Sequence, residues 1–316
     1  MQIRIDLPLD RVAAPGRALT ALRAQGLLFC AIGTVVAGVS AASGMAPACG
    51  GTTGLLLAAL IVLPGVAHGA LDTVFAKELM GVSGQRGWIG FALAYLGAAL
   101  LVLLAWQQAP TWCLAGFLLL SALHFSGDPQ APASFLARLL YGGTLMVLPA
   151  LPHGGEMARL FGFLVTPQDA AALAGMLHVM GRPWLLATLL AAAWQVRTDW
   201  LNSLEMAVAT LVALVAPPLL AFTVFFCAMH SPRHMLRTWH YAGAGPVARL
   251  GRAALLPMLG TFVLGAAGAY CLRTQPLEAG LMQLLFIGLA ALTVPHMTLV
   301  ERARWSGWVK PRAATP

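Results

Sequence analysis

Charge is scarce in this sequence. Only 9% of its 316 residues are Asp, Glu, Lys or Arg, whereas a soluble domain carries roughly a quarter. That shortage excludes an ordinary soluble enzyme. It also removes nucleic acid as an expected partner despite the formal net charge of +8. Arg and Lys sit in short connections between apolar runs, where retention of positive charge on the cytoplasmic side accounts for them. Long polar stretches are lacking as well. Apolar runs follow one another from Gly26 to Val300, which leaves no room for a separate soluble domain and predicts a single transmembrane domain over 26–300. The five cysteines, Cys30, Cys49, Cys113, Cys227 and Cys271, form no C-x-x-C pair. Lying mostly inside or beside apolar runs, they read as buried thiols and leave the redox compartment open. Low-complexity segments and convincing repeats are absent. The N-terminus, with Arg4, Asp6, Asp10, Arg11, Arg17 and Arg23, is too long and too mixed in charge for a typical cleaved signal peptide, so the first helix is expected to be retained.

What the chain has in abundance is apolar residues, 59% of the total, with a mean hydropathy of +0.79. The reading is an all-α, polytopic transmembrane helix bundle. Apolar stretches fall at about 26–43, 54–71, 87–106, 111–126, 133–151, 169–196, 200–216, 217–232, 253–271 and 280–298. Ten spans are expected, with eight or nine as alternatives. Pro183 divides the long sixth run, and Pro217-Pro218 reads either as a turn or as a kink in one bent helix. Placing the N-terminus in the cytoplasm leaves only Arg159 and Arg273 clearly outside, with Arg182 inside the sixth run. Residues 1–25 and 301–316 are then cytoplasmic segments of a multi-pass protein of the cell membrane. Gly-rich stretches such as Leu96-Gly97-Ala98-Ala99 read as close helix packing.

Three short boxes close apolar runs: His68-Gly69-Ala70-Leu71-Asp72, His124-Phe125-Ser126-Gly127-Asp128 and His230-Ser231-Pro232-Arg233-His234. On a helix, residues four apart share a face with Cβ atoms about 5–6 Å apart, so His230 and His234 can reach one metal ion. In the expected topology His68, His124, His230, His234 and His296 lie at one end of one bundle. His153 falls at the opposite surface, His178 near the middle of span 6 and His240 in a loop. A single interfacial histidine is ordinarily amphipathic or hydrogen-bonded. Several at one depth, four of them in three boxes, point instead to a metal site, since ionisable groups near hydrocarbon are costly unless paired or ligated.

Imidazoles with open coordination positions suit Fe(II) that must bind dioxygen. His68, His124, His230 and His234 are the expected ligands. Asp72 and Asp128, one turn beyond His68 and His124, are better placed as acceptors that fix ring tautomers, although a mixed His/carboxylate site stays open. His296, in Val294-Pro295-His296-Met297, is either a fifth ligand, a hydrogen-bonding neighbour or an interfacial residue. Arg233, between the two histidines of its box, is expected to face elsewhere, toward lipid phosphate or as an orientation signal. The Pro152-His153-Gly154-Gly155-Glu156 stretch reads as capping of span 5. Phe75, Phe125, Phe225, Phe226, Met229, Met235 and Trp239 read as core before they read as a tunnel for a long apolar ligand.

These boxes, with Pro152 to Glu156 and Pro295-His296-Met297 in the same order, resemble the motifs of the Brp/Blh family of microbial β-carotene 15,15'-dioxygenases. The resemblance runs from about Pro64 to Arg304; Ser126 stands where the second box often has Gly, and the first 60 residues show no match. It implies a membrane, non-haem iron enzyme that splits β-carotene at its central double bond with O2 into two retinal molecules. It also implies iron ligation by His68, His124, His230 and His234, a carotenoid substrate met in membrane lipid, and a functional link to a retinal-binding protein. Three alternatives stand beside it. One is another membrane iron oxygenase acting on a long apolar lipid, although this chain has no adjacent His pair of the H-x-x-H-H kind. The others are non-catalytic: a bis-His haem protein, and a carotenoid or retinal carrier.

Overall fold

The structure, a computed structural model, describes residues 15–43, 51–129 and 133–305. The N-terminal segment through residue 14, the 44–50 connection with Cys49, and the tail from residue 306 lie outside the described residues, together with the charges assigned to them. The described chain is helical from end to end. In order the helices are α1 (Pro15–Ser43), α2 (Gly51–Gly69), α3 (Asp72–Met80), α4 (Gly84–Gln108), α5 (Pro110–Phe125), α6 (Phe135–Val147), α7 (Ala150–Gly162), α8 (Pro167–Gln195), α9 (Trp200–Val215) and α10 (Pro218–Val224). A π-helical turn (Phe225–His230) then runs into α11 (Ser231–Tyr241), followed by α12 (Val247–Cys271) and α13 (Leu277–Trp305).

The expected all-α bundle is present, but with fewer spans than ten. Among the described residues six helical stretches are long and apolar enough to cross a membrane: Leu19–Ser43, Thr52–Met80, Gly84–Gln108, Pro167–Gln195, Val247–Cys271 and Leu277–Arg304. The pair α6 and α7, bent by 60°, makes a seventh if taken as one broken span. The overcount has a geometric cause. Helices α5 and α9 have 16 residues each, about 24 Å at 1.5 Å per residue, short of a hydrocarbon core of about 30 Å. The run read as span 8 is α10 and the π-turn, interrupted in regularity before α11 begins. Pro183, in contrast, does not divide the sixth run, because α8 continues through it for 29 residues.

The core forms where α1, α2, α5, α6, α9, α10 and α13 meet, around Phe29, Ile61, Leu114, Tyr141, Met206, Leu219, Phe225, Met229 and Met282. Helices α4 and α12 are peripheral. Ala99 and Trp106 are the buried residues of the first and Ala254 of the second, while Leu93, Leu101, Leu256 and Val263 are each at least 67% exposed. Such apolar outer faces suit hydrocarbon. The Arg159–Glu278 ion pair marks the other end of the bundle: Glu278 is 18 residues before His296 on α13, about 27 Å at helical rise.

Close packing of α5 on α6 is set by a missing side chain. A Cβ on Gly142 would lie 2.1 Å from the Ala122 carbonyl oxygen and 2.5 Å from the Ser126 amide nitrogen, two residues either side of His124. The variant Gly142→Ala is therefore expected to lose on the order of 1–3 kcal/mol of stability through overpacking, read as a lower thermal unfolding midpoint in detergent. An unchanged midpoint would show that the two helices can part without cost.

Candidate metal centre

Each box ends a helix, and the way each ends positions its histidine. His68 lies in the last turn of α2, after which Ala70-Leu71 turn and α3 starts at Asp72. A carboxylate in a first helical turn is favoured by the helix dipole. His124 lies in the last turn of α5, the Ser126 amide donating to Ala122 O, and Asp128 follows outside the helix. In the third box Pro232 has no N–H to give and its ring crowds the carbonyl four residues back. The chain widens into the π-turn, with the Ser231 amide donating to Phe226 O, five residues back. The Ala228 carbonyl accepts instead from Gln25 Nε2 at 2.6 Å. Local π geometry inside α-helices is recurrent at functional sites.

These ends converge. The His68 ring centroid is 5.4 Å from that of His230, 5.3 Å from His234 and 5.1 Å from His296. The His124 ring is 4.6 Å from His230 and 5.0 Å from His296, and His234 is 5.2 Å from His296. All five side chains are buried, none more than 8% exposed. Four of them hold a buried ring nitrogen without a hydrogen-bond partner: Nδ1 of His68 and His124, Nε2 of His230 and His296. An unpaired buried nitrogen is costly, and four in one cluster make a donor set that a cation would satisfy. Ring nitrogens of His68, His124 and His296 all lie within 4.8 Å of one another. Neutral imidazoles without nearby thiolates suit iron, copper, zinc or nickel.

Two of the other ring nitrogens are held by carboxylates. His296 Nδ1 donates to Asp72 Oδ1 at 2.7 Å, and Tyr95 Oη donates to Asp72 Oδ2 at 2.8 Å. His230 Nδ1 donates to the Asp128 carboxylate at 3.1 and 3.2 Å. A ring whose Nδ1 proton is fixed by a carboxylate turns its Nε2 lone pair inward. The partners differ from those expected within each box: Asp72 serves His296 and Asp128 serves His230. Because the helix stops between His68 and Asp72, and again between His124 and Asp128, each carboxylate is carried off its histidine's face and across the bundle. Aromatic rings close the cluster. Phe125 is 4.7 Å from His230, Phe226 lies 5.5 Å from His68 and stacks on His230 at 5.7 Å, and Phe75 is 5.9 Å from His234. A cavity of about 20 Å³ adjoins it, lined in part by His124, Asp128, His230, His234, Arg237 and Glu301. That is room for one water-sized molecule.

Arg233 requires a correction. Far from facing lipid phosphate, it is fully buried, with Nη1 and Nη2 donating to Glu205 at 2.9 and 2.6 Å and Nε donating to Gln25 Oε1 at 2.8 Å. A guanidinium is too costly to leave unpaired in an apolar interior, so it turns inward to a buried carboxylate that the positive-inside argument did not consider. His240 is also not in a loop: it lies in the last turn of α11, its ring 4.8 Å from Trp239. His178 sits within α8 and donates to Ala150 O at 2.9 Å. His153 lies in α7 at a non-helical φ of −119°. Among the described residues, none of the ring contacts that define the cluster involves these three. Sequence reasoning missed Gln25, Tyr95 and Glu205. For Glu205 the signal was there, a carboxylate between Leu204 and Met206 inside an apolar run.

A family model described as "Beta-carotene 15,15'-dioxygenase" matches residues 59–303. A protein of an uncultured marine bacterium named "Beta-carotene 15,15'-dioxygenase" is 31% identical over 252 residues, covering 77% of this chain and 91% of the relative. One of Halobacterium salinarum named "Probable beta-carotene 15,15'-dioxygenase Blh" is 27% identical over 297 residues, covering 77% of this chain and 82% of the relative. No solved structure matches.

The carboxylate pairing generates an ordered expectation. Asp72→Ala strands two buried donors, the His296 ring and the Tyr95 hydroxyl, at about 1–3 kcal/mol each. Tyr95→Phe removes one donor and leaves Asp72 its histidine. The unfolding midpoint is expected to fall much further for Asp72→Ala than for Tyr95→Phe; equal losses would contradict the Asp72–His296 pairing.

Proposed function

This chain belongs to the beta-carotene 15,15'-dioxygenase family, and from that premise we propose that it cleaves β-carotene at the central 15,15' double bond with O2 to give two molecules of retinal, using one iron(II) ion at the histidine cluster. The observation that carries the metal assignment is the set of four unpartnered, buried ring nitrogens converging from separate helices. His68, His124, His230 and His234 would hold the iron, and His296, whose Nε2 is among the unpartnered nitrogens, would supply a fifth; His234 Nε2 sits 3.4 Å from Thr238 Oγ1 and would turn from it to the ion. The bound ion would supply the binding and activation of dioxygen.

The protein's own groups do the rest. Asp72 and Asp128 retain the Nδ1 protons of His296 and His230, which keeps both rings neutral donors through Nε2 and fixes their planes. Phe75, Phe125 and Phe226 exclude water around the rings. In the overall reaction one C=C bond breaks and each carbon takes one oxygen atom of O2. No water or external reductant is consumed, so no acid/base residue is asked to shuttle a proton. The small cavity by His124 and His230, with room for one water-sized molecule, is too small for a polyene, which approaches from the membrane. A substrate insoluble in water is taken laterally from lipid, and the product is suited to capture by a retinal-binding protein.

The catalytic unit is residues 26–300, and the protein resides in the cell membrane with both termini in the cytoplasm. The distribution of charge supports this orientation. Arg138, Arg237 and Arg304 donate to the 126–128 turn beside the cluster, whereas the Arg159–Glu278 pair lies at the other end.

The test is isotopic. The purified, iron-loaded protein supplied with β-carotene under ¹⁸O2 is expected to place one ¹⁸O in each retinal formed, and His230→Ala to abolish the product. Retinal with oxygen drawn from water, or wild-type turnover after iron is removed by chelation, would defeat the proposal.

A further inference from the structure

One buried ion pair has no part in the chemistry proposed for the cluster. Arg233 and Glu205 are both 0% exposed, one turn from His230 and at the heart of an apolar bundle, where an ion pair brings no assured gain in stability. What distinguishes this pair is what it touches. Arg233 Nη1 donates not only to Glu205 but also to the backbone carbonyl of Asp128 at 3.1 Å. A second guanidinium, of Arg237, donates to Asp128 O and to Gly127 O, each at 2.7 Å. The carboxylate of that same Asp128 holds the His230 ring. On the other side Arg233 Nε donates to Gln25 Oε1 at 2.8 Å, and Gln25 Nε2 donates to Ala228 O at 2.6 Å and Met229 O at 3.3 Å. Those two carbonyls belong to the π-turn that ends in His230.

One planar fork therefore fixes His230 from both directions: through the peptide that carries its carboxylate and through the backbone that carries its ring. The fit is built in. A Cβ on Gly26 would lie 2.0 Å from Glu205 Oε1 and 3.0 Å from Arg233 Nη2, so α1 offers bare backbone where the pair passes.

We propose that Arg233, clamped by Glu205 and Gln25, is a positioning residue that sets the His230 ring for metal binding by holding Asp128 and the π-turn in register. The inference rests on the metal reading of the cluster. Glu205 neutralises the guanidinium and aims it; Gln25 couples it to α1. None of the three is one of the cluster's histidines. A lysine at 233 keeps the charge but, with a single ammonium, cannot serve Glu205, Gln25 and Asp128 O in one plane.

The test uses full-length protein in detergent, titrated with cobalt(II) as a visible-absorbing probe. Replacing the pair by apolar residues of similar size, R233M with E205M, leaves no orphaned charge, a change often neutral for stability. The double variant is expected to unfold near the wild-type temperature yet bind cobalt about 10- to 100-fold more weakly. Its ligand-field spectrum should be altered, with a lower kcat and an unchanged KM for β-carotene. A folded double variant with wild-type cobalt affinity and spectrum would overturn the inference. Should that variant fail to insert, Arg233→Lys carries the test: weaker cobalt binding supports positioning, and wild-type binding refutes it. Failure of the wild-type protein itself to bind cobalt would instead refute the metal reading beneath it.

Discussion

Five imidazoles, three carboxylates and a guanidinium lie inside an apolar bundle, and the cost of burying each without a partner governs the architecture around them. In hydrocarbon no water is at hand to repair a lost hydrogen bond. Asp72 and Asp128 are therefore each matched to a ring, Arg233 to Glu205, and the Ala228 carbonyl released by Pro232 to Gln25. The ring nitrogens facing the middle of the cluster are the ones this pairing leaves over. A site with its outer contacts completed and its inner ones open has the form expected for a bound cation.

The same constraint explains why the site is made from helix ends. A continuous helix would keep His68 with Asp72, and His124 with Asp128, on single faces. Breaking the helix after each histidine frees the acid to reach a different one, so that each carboxylate ties two distant parts of the chain. Asp72 joins α3 to α13 and α4; Asp128 joins the end of α5 to the π-turn. The broken α6–α7 pair and the glycine contact of α6 on α5 bring the His124 end into place. The long peripheral helices α4 and α12 contribute little to the core and present apolar faces outward.

Much of this was legible in the sequence. Low charge and continuous apolar runs indicated a helical membrane domain; four-residue spacing at the ends of those runs singled out His68, His124, His230 and His234, and the expected topology placed His296 at the same end. The span count was not legible, because hydropathy does not separate α5 and α9, each too short to cross, from full spans. Partners across the bundle were hidden too. Spacing reports neighbours on one helix, whereas Asp72 to His296, Asp128 to His230 and Arg233 to Glu205 join residues more than 25 positions apart. Arg233 shows the difference most plainly: positive charge near a helix end ordinarily marks the cytoplasmic surface, but a carboxylate placed by α9 draws this one inside.

The most direct test of the account is X-ray absorption at the iron edge of the purified, anaerobically loaded protein. Scattering from four or five imidazole nitrogens, without sulfur and without a porphyrin, is the predicted result. A haem signature, a thiolate ligand, or iron that stays bound in the quadruple variant lacking His68, His124, His230 and His234 would contradict it.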